Sequence, residues 1–543
     1  MKRTLFYFLC ILLVLFLIGC STDTRQTDKT DTSTSSSIAS SGEEVVSSSF
    51  FPLKEPVTLR YWKEMHGNTM KVVTSDGDIR CYQILEELTN VKIKWEHPPT
   101  GQAAEQFNLM VASGNLPDLI FYGWNSVSGG AQNYIDNDII ITLNEYLDSG
   151  KLPNYKAFIE SDPIIYKEIV LDSGDIYMFG CFNSYGHRIN AGGWIIRMDW
   201  LKNLGLDVPV TIEQWKNVLT AVKDGDPNGN GDPGDEIPLT LAGAVYQFIR
   251  AYDLTTSFAV KDGKIVYSPI EDGYMEWLSE MANWYKNGLI DPEYLTTDQN
   301  ALTAKATGNK AFAWYGAAAG NLMNYVASMK ANNPDVYIRG IPYVQNKNGI
   351  TNHKIGDVWG GYGTAITTSC KNVDVAMKWL DFAYSKEGQN LLVYGEEGVS
   401  YNWVNGYPKL AEMLFNQPGL SASQAISKYS IAAASGAYVK TMEYFEQVTN
   451  TPEQNETFAN WMSGNQSDAI FLPTGMSFTK EENAKLSEIM SDINTHTGKM
   501  RDSFIMGLEP LDKFDEFVKT IKSMGIDTII SIYQDAYNRY MSK

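Results

Sequence analysis

Short strand-like runs alternate with helical segments at the start of the folded body, and this alternation limits the fold more than any other feature. Residues 57–62 and 91–96 alternate apolar and polar side chains, and 119–122 form a short apolar run. Between them, 84–88 and 102–113 have the spacing of helices. The order strand, helix, strand predicts a parallel sheet with helices on its faces.

The same alternation continues through the rest of the chain. Further short strands are predicted at 194–197, 311–315 and 336–340. Apolar stripes at helical spacing are present at 212–222, 376–383 and 514–521. Because about 490 residues follow residue 52, the chain is too long for one small domain and long enough for two large ones. The predicted fold class is therefore α/β, with two lobes.

Composition disfavours several classes of partner and site. The net charge of −20 argues against nucleic acid or an anionic membrane face, and against a highly acidic polysaccharide unless a local basic pocket overrides it. Aromatic residues make up 12% of the chain, and carbohydrate sites stack sugar faces on such rings, although most rings belong to the core. Cys81, Cys181 and Cys370 are too few and too widely spaced for a disulfide framework or a CxxC motif.

Residues 1–19 predict a signal peptide. Lys2 and Arg3 precede an apolar run at 5–18, which is shorter than the roughly 20 residues that span a bilayer. The run ends in Leu17-Ile18-Gly19-Cys20, which resembles the lipobox of bacterial lipoproteins. That resemblance implies cleavage before Cys20 and attachment of lipid to its thiol. The alternative is an ordinary signal peptide with a chance cysteine.

Residues 20–52 predict a flexible tether that follows the lipidated cysteine. Ser, Thr, Asp, Gly and Glu dominate this stretch, which cannot bury enough apolar surface to offset the entropy of ordering it. No later segment is long and apolar enough to span a bilayer. We therefore expect an exported, soluble body that is lipid-anchored to the outer face of the cell membrane.

A polar loop at 226–236 has the oxygen spacing of a calcium site. The candidate ligands are Asp226, Asn228, Asn230, Asp232 (through its backbone carbonyl), Asp235 and Glu236. Calcium prefers six or more oxygen ligands, and side-chain oxygens at every second position can converge when such a loop curls. The opening resembles an EF-hand loop, but Ile237 stands where the usual bidentate Glu would be. We predict a structural calcium site; the alternative is a polar turn without metal.

Several segments, spread over nearly the whole body, together carry a family resemblance. They are Asn108-Leu-Met-Val-Ala-Ser-Gly-Asn-Leu-Pro-Asp118, Trp194-Ile-Ile-Arg-Met-Asp-Trp-Leu-Lys-Asn-Leu-Gly-Leu206 with Pro209-Val-Thr211 and Trp215, Phe504-Ile-Met-Gly507, Gly525-Ile-Asp527, and Tyr533-Gln-Asp-Ala-Tyr-Asn-Arg-Tyr540. These segments look like those of family 1 extracellular solute-binding proteins. More narrowly, they resemble the branch of large lipoproteins that includes alginate-oligosaccharide-binding proteins.

The resemblance implies a periplasmic-binding-protein fold, in which two α/β lobes are joined by a hinge and enclose a ligand cleft. The implied boundaries are 53–196 and 366–405 for lobe 1, 197–358 and 406–500 for lobe 2, and 501–543 for C-terminal helices that pack on the lobes. It also implies binding without catalysis, closure of the lobes on the ligand, and docking onto the permease subunits of an ABC-type importer. We expect a monomer.

Ligands of open α/β sheets meet the loops beyond the carboxyl ends of the strands. The family resemblance also implies that the chain crosses back between the lobes at 359–366. The strand-end rule, this crossing segment and the loop at 397–403 together predict a set of ligand-binding residues. They are Trp62, His66, Tyr122, Trp124, Asn125, Trp314, Tyr315, Trp359, Tyr362, Glu397, Tyr401 and Trp403. The rings suit the apolar faces of an oligosaccharide, and Glu397 and Asn125 suit its hydroxyl groups. Alternatively, any of these rings closes the edge of the core.

Other functions stay open at this point. A secreted polysaccharide-degrading enzyme needs two facing carboxylates, and a single sequence does not show whether distant acids converge. The sequence contains no HExxH, GxSxG or P-loop motif. The ligand is alternatively a peptide or another polar solute, and the bound form alternatively signals to a membrane kinase instead of serving import.

Overall fold

The structure is a computed structural model, and it describes residues 50–184, 192–354, 356–433 and 435–543. The predicted signal peptide, Cys20 and nearly all of the predicted tether lie outside these residues. The strands are β1 (Val57–Trp62), β2 (Val91–Glu96), β3 (Leu119–Gly123), β4 (Phe179–Asn183), β5 (Gly192–Arg197), β6 (Ile237–Leu239), β7 (Phe258–Lys261), β8 (Lys264–Tyr267), β9 (Ala311–Ala317), β10 (Ile338–Gly340), β11 (Ile350–Asn352), β12 (Trp359–Ile366), β13 (Tyr401–Val404), β14 (Tyr407–Leu410), β15 (Tyr438–Lys440) and β16 (Asn465–Ser467).

Helices cover the faces of the sheets. They are α1 (Arg80–Thr89), α2 (Ala103–Ser113), α3 (Gly130–Asp136), α4 (Asn144–Asp148), α5 (Pro153–Ile159), α6 (Pro163–Ile169), α7 (Met198–Leu204), α8 (Ile212–Asp224), α9 (Asp272–Lys286), α10 (Gln299–Thr307), α11 (Met323–Lys330), α12 (Val373–Phe382), α13 (Lys386–Tyr394), α14 (Ala422–Ile426), α15 (Met442–Val448), α16 (Pro452–Trp461), α17 (Lys480–Met506), α18 (Phe514–Ser523) and α19 (Ile526–Ser542). None of these helices is long and apolar enough to cross a membrane.

The N-terminal strands form the predicted parallel sheet. β1 pairs in parallel with β2 and with β3, and α1 and α2 are the connections between them. β12 lies antiparallel to β3, and the complete sheet has the order β15-β4-β12-β3-β1-β2. Leu59 and Tyr61 point from β1 into the core, as their alternation predicts. The predicted α/β fold class is confirmed.

A second sheet is formed from later strands, in the order β10-β5-β9-β6. β5 is antiparallel to both of its neighbours, whereas β6 runs parallel to β9. α8 begins with a capping box between Thr211 and Gln214 and buries Trp215, Leu219 and Val222 in a second core. The C-terminal helices α17, α18 and α19 contribute to that same core.

Three passages of the chain lead between the six-stranded sheet and the part of the molecule that contains the four-stranded sheet. The first leads from β4 to β5 through 184–192, the second leads from β11 to β12 through 353–358, and the third leads from β15 to α16 through 441–451. Residues 185–191 of the first passage lie outside the described part of the chain.

The packing differs from the implied lobe boundaries at two points. Residues 192–196 belong to β5 in the four-stranded sheet, although the implied boundary ends lobe 1 at residue 196. Leu410, Ile426 and Tyr438 lie in the core of the six-stranded sheet, although 406–500 is assigned to lobe 2. Short strands such as β5 and β15 carry no local signal of which sheet they join, because tertiary packing decides their partners.

The three cysteines of the described residues are free thiols. Cys81 and Cys370 are buried, and Cys181 is partly buried. Burial raises the pKa of the Cys370 thiol to about 12, so this group stays protonated and behaves as a small apolar side chain.

Candidate functional site

One edge of the six-stranded sheet, here called the first edge, brings several predicted site residues together. Trp62 ends β1 and Gly123 ends β3. Because β12 is antiparallel to β3, its first residues reach the same edge, and Tyr362 lies opposite Gly123. The backbone N–H of Asn183, at the end of β4, donates to the carbonyl of Val358 at 2.8 Å. The first edge is therefore next to two of the passages that lead to the second sheet.

The tryptophans of the first edge are core residues. Trp124 is fully buried, its indole N–H donates to the Gly363 carbonyl at 3.0 Å, and two tyrosine rings of the core pack edge-on against it. Trp359 is also buried and donates to the Tyr362 carbonyl at 2.8 Å. Trp62 is nearly as well buried. These rings support the edge and present little surface to a ligand.

Four other predicted residues of the first edge reach solvent. Tyr362 is 54% exposed, Tyr122 is partly exposed, and each ring rests on a buried phenylalanine ring, with centroids 6.1 and 4.2 Å apart. Asn125 and His66 are exposed. Gly361 has a φ of +85°, and a Cβ there would lie 2.2 Å from the Asn125 side chain. A glycine at this position therefore lets Asn125 lie directly against β12.

The four-stranded sheet has a corresponding second edge beside the passages. Tyr315, near the end of β9, donates to the Gly192 carbonyl at 3.0 Å, and the Tyr343 hydroxyl donates to the same carbonyl. Trp314 is fully buried, with its ring edge-on to Tyr325. Burial raises the pKa of the Tyr315 and Tyr343 hydroxyls, which therefore remain protonated donors. Only Tyr315, of the two residues predicted here, is partly open to solvent.

Sequence reasoning missed four residues beside these edges. The positive charge of Arg250 lowers the pKa of the His353 ring and partly offsets the rise in the pKa of the Tyr315 and Tyr343 hydroxyls. The His353 ring stacks on Tyr343, with centroids 4.6 Å apart. Burial lowers the pKa of His353 to about 4, so the ring is neutral. Lys440 ends β15. Tyr343, His353 and Lys440 follow or end short strands, the kind of position that the strand-end rule selects; Arg250 has no such signal.

The β13–β14 hairpin holds the remaining predicted residues. Tyr401 is buried, Trp403 is 41% exposed and Glu397 is exposed. They line a surface depression with Arg80, at the start of α1, whose guanidinium donates to Glu396 at 2.9 Å. In the part of the chain that the structure describes, no hydrogen bond or ring contact joins Glu397, Tyr401 or Trp403 to either edge. The structure does not bring them together with the other predicted residues.

A cavity of about 590 Å³ lies beside the first edge, between it and the C-terminal part of the chain. Trp124, Asn125 and Trp359 form part of its wall on the side of the six-stranded sheet. Thr474 and Arg539 line it on the other side. The volume is in the range of small-molecule sites, and the wall combines apolar and polar groups as such sites do.

The loop at 226–236 is curled by its own polar groups. The Asp226 carboxylate accepts the backbone N–H of Asn230 at 3.1 Å, and the Asn230 amide oxygen accepts that of Asp232 at 2.7 Å. The side-chain amides of Asn228 and Asn230 donate to Asp235 at 3.0 and 3.1 Å. The described residues include no group of three or more His, Cys, Asp or Glu side chains placed to hold a metal, so amide oxygens would have to complete a calcium shell here.

Glu236 stands out in this loop because its carboxylate is buried and neither oxygen accepts a hydrogen bond from a described residue. Burial raises the pKa of Glu236 and the charges of Asp235 and Asp226 raise it further, while the nearby backbone N–H groups of Glu236 and Asn228 lower it in part. A buried carboxylate without a partner is costly, and a bound cation would remove that cost. The oxygen-rich donor set fits a hard cation such as calcium.

The arrangement of two helix-covered sheets joined by three passages is a periplasmic-binding-protein-like fold. Partly exposed tyrosines lie on both edges beside the passages. The chain belongs to the bacterial extracellular solute-binding protein family, whose family model matches residues 79–390. The family membership implied by the resemblance is confirmed.

Known relatives resemble the chain over nearly its whole length. The fructooligosaccharide ABC transporter substrate-binding protein FusA of Streptococcus pneumoniae is 26% identical over 91% of this chain and 92% of its own. A crystal structure of the alginate-binding protein AlgQ2 without calcium ion has a TM-score of 0.74, at 24% identity over 90% of this chain and 99% of its own. A structure of an EF-hand mutant of FusA from S. pneumoniae, in complex with fructo-nystose, has a TM-score of 0.70, at 22% identity over 89% and 99%.

Proposed function

We propose that this chain is the substrate-binding component of an ABC-type importer and that it binds an oligosaccharide without catalysing its cleavage. The observation that carries this proposal is the collinearity with FusA, which spans 91% of this chain and 92% of the relative. A match of this extent leaves only about a tenth of either chain unmatched. FusA is named for a fructooligosaccharide, so the proposed ligand class is an oligosaccharide.

The exposed groups of the two edges suit such a ligand. Tyr362 and Tyr122 offer ring surface to the apolar faces of sugar rings. Asn125 and His66 reach solvent beside them and can hydrogen-bond sugar hydroxyl groups. Tyr315 lies on the opposite edge. Closure of the edges on the ligand shifts the protein to the form that docks onto the permease subunits.

The N-terminal segment supports a membrane anchor for this function. Cys20 follows an apolar run in a lipobox-like sequence, and a polar tether separates it from Val57, where the first strand begins. A lipid on the Cys20 thiol would hold the protein at the outer face of the cell membrane, near the permease. In this arrangement the protein acts as a monomer.

A thermal-shift screen of the full-length protein tests the function. The panel contains fructooligosaccharides, alginate and galacturonate oligosaccharides, and short peptides as controls. A ligand at 100 times its dissociation constant stabilises the folded protein by about 2.7 kcal/mol, and a protein of this size then melts a few degrees higher. A rise with one glycan family supports the proposal. A rise with peptides alone would keep the fold and overturn the carbohydrate assignment.

We also propose that the loop at 226–236 binds a structural calcium ion. The unpartnered, buried carboxylate of Glu236 supports this, together with the oxygens of Asp226, Asn228, Asn230, Asp232 and Asp235. The existence of an EF-hand mutant of FusA is consistent with such a loop in a relative. The ion would fix the loop that leads into β6 and would supply no chemistry to the ligand.

Calcium removal tests this second proposal. Chelation should lower the melting temperature of the full-length protein, and added calcium should restore it. Glu236→Gln should lose the response to calcium, because it removes the buried carboxylate, whereas Glu213→Gln, on the exposed face of α8, should keep it. A melting curve that chelation leaves unchanged would show that the loop is a turn without metal.

A further inference from the structure

Exposed apolar side chains are concentrated at and just beside the β13–β14 hairpin. Of the seventeen large apolar side chains that are exposed among the described residues, six lie within 399–415. They are Val399, Trp403, Val404, Tyr407, Met413 and Phe415. Such a concentration of apolar surface marks a place where a protein or a membrane binds. The glycan site proposed above uses the two edges and leaves this surface unexplained.

The tip of the hairpin, residues 402–407, is held away from the core in a fixed shape. At its base, Leu410 is buried in the core of the six-stranded sheet, and its backbone N–H donates to the Gln447 amide oxygen at 2.7 Å. Asn405 and Gly406 have φ values of +52° and +82°, which define a two-residue turn with both central residues left-handed. All residues of the tip are exposed. The fold therefore keeps the apolar side chains of the tip in solvent.

The hairpin lies close to the place where the described chain begins. The Leu53 backbone N–H donates to the carbonyl of Thr89, at the end of α1, at 3.0 Å. Leu53 lines one surface depression with Arg80 and Glu87, and the same two residues of α1 line a second depression with Trp403. Leu53 and the hairpin are therefore on two flanks of one helix, which is about 10–12 Å wide with its side chains.

The proposed lipid anchor turns this side of the protein toward the membrane. Thirty residues separate Cys20 from Phe50, the first described residue. The anchor holds the side from which this segment emerges nearest to the lipid, and it raises the local concentration of the hairpin at the membrane surface. A weak affinity of the tip for lipid is then sufficient to keep the two in contact.

The size and chemistry of the tip suit a lipid surface better than a protein partner. A stable protein interface takes about 800 Å² from each partner. Trp403, Val404 and Tyr407 are only about half exposed, and a whole aromatic side chain offers about 150–250 Å², so the tip falls well short of that area. Trp and Tyr side chains do favour the membrane–water boundary, where one end of the ring is apolar and the other is wet.

Charge contributes little to such a contact. Residues 396–415 contain three glutamates and one lysine. This balance, like the net charge of −20, gives no attraction to anionic lipid. Insertion of apolar side chains is not weakened by salt, whereas attraction between exposed charges is.

We propose that the hairpin tip inserts Trp403, Val404 and Tyr407 into the outer surface of the cell membrane and thereby fixes how the anchored protein lies on it. This inference rests on the lipid anchor proposed above and is independent of which glycan the protein binds. The lipid on Cys20 limits the distance of the protein from the membrane, and the tip sets its orientation.

Quenching by brominated lipid tests whether the tip enters the membrane. The full-length protein, purified from membranes with its lipid, is placed in phosphatidylcholine vesicles with a fluorophore attached to Asn402→Cys, an exposed position of the tip. Phosphatidylcholine with brominated acyl chains should quench this label about twofold, because an inserted apolar face lies about 5–10 Å into the boundary of headgroups and acyl chains. The same label on Lys347→Cys, in an exposed turn between β10 and β11, is the matched control and should not be quenched. Raising the salt concentration should change neither signal.

Replacement of the tip side chains tests which groups enter the lipid. In one variant, serine replaces three residues of the tip: Trp403→Ser, Val404→Ser and Tyr407→Ser. This variant should lose the quenching. In the control variant, serine replaces three apolar residues exposed elsewhere: Ile164→Ser, Tyr166→Ser and Leu508→Ser. The control should keep the quenching, and both variants should bind glycan as the wild type does. Tyr407→Ser alone should reduce the quenching, and it replaces the triple variant if melting curves show that the latter is unfolded.

Three results would overturn the inference, and they differ in what else they overturn. If the lipidated protein sediments with the vesicles but the label on the tip is not quenched, the tip does not enter lipid and the anchor stands. If the label responds only when permease subunits are present in the vesicles, the hairpin docks on protein and not on lipid. If mass spectrometry finds no lipid on Cys20, the anchor and this inference fail together. The oligosaccharide function is tested separately by glycan binding and stands in all three cases.

Discussion

The first edge and the β13–β14 hairpin contain the same kinds of residues but differ in where the fold places them. Each has a half-exposed aromatic residue, Tyr362 at 54% and Trp403 at 41%. Tyr362 lies beside the passages that lead to the second sheet, whereas Trp403 lies beside α1 on a surface depression. An exposed ring therefore indicates a ligand site only where a second surface faces it.

The largest expected effect concerns a ring of the first edge that is buried. Trp124→Ala should lower the free energy of unfolding by about 3–5 kcal/mol, because it empties a fully buried volume and removes the indole bond to Gly363. Denaturant titration measures this. If the variant unfolds like the wild type but no longer binds glycan, Trp124 is a ligand residue and the division of the edge into buried and exposed rings is wrong.

Protonation of His353, at the second edge, should make the free energy of unfolding depend on pH. His353 has a pKa of about 4 in the folded protein and an ordinary value near 6.5 when unfolded, so the unfolded state binds more protons between these values. Stability should therefore fall as the pH decreases from about 6.5 to about 4, by roughly 3 kcal/mol from this group alone.

Replacement of this histidine isolates the effect. His353→Phe keeps a ring that can stack on Tyr343 and should reduce the acid-side loss of stability, measured by denaturant titration at several pH values. An identical pH profile for wild type and variant would contradict the neutral, buried state of His353.

A smaller effect is expected at the exposed ring of the first edge. Tyr362→Ala should weaken glycan binding by about 10-fold, because it removes a stacking surface, and should change the unfolding free energy by less than 1 kcal/mol. Tyr407→Ala, at a tyrosine of the hairpin that is 64% exposed, is the matched control and should bind normally. Isothermal titration calorimetry gives both values. If both variants lose glycan affinity equally, the claim that the ligand contacts the first edge and not the hairpin is wrong.

The smallest effect is expected within the hairpin. Trp403→Ala should change neither binding nor stability by more than about 0.5 kcal/mol, because the ring is half-exposed and lies away from both edges. A 10-fold loss of glycan affinity in this variant would show that the ligand contacts the hairpin, whose Glu397, Tyr401 and Trp403 belong to the ligand-binding set predicted from the sequence.

The sequence predicts the sheets better than the site. The alternation in β1 and β2 and the helical spacing in α8 are local patterns, and both predictions agree with the structure. Strand ends also locate the first edge, since β1 and β3 finish there and are parallel.

The sequence does not predict which aromatic rings of the site are buried and which are exposed. Trp124 and Tyr362 both lie at the first edge, yet one is buried and the other exposed, because packing against core rings decides it. Arg250 and His353 come from a 3-10 segment and a loop, and only the tertiary fold brings them beside Tyr343. Likewise, the missing partner of Glu236 becomes visible only when the loop is folded.

The most direct test of the central claim is a crystal structure of the protein with the tightest-binding glycan of the panel. The account predicts that the glycan lies between the two edges and contacts Tyr362 on one side and Tyr315 or Arg250 on the other. A glycan bound on the β13–β14 hairpin, with both edges empty, would contradict it.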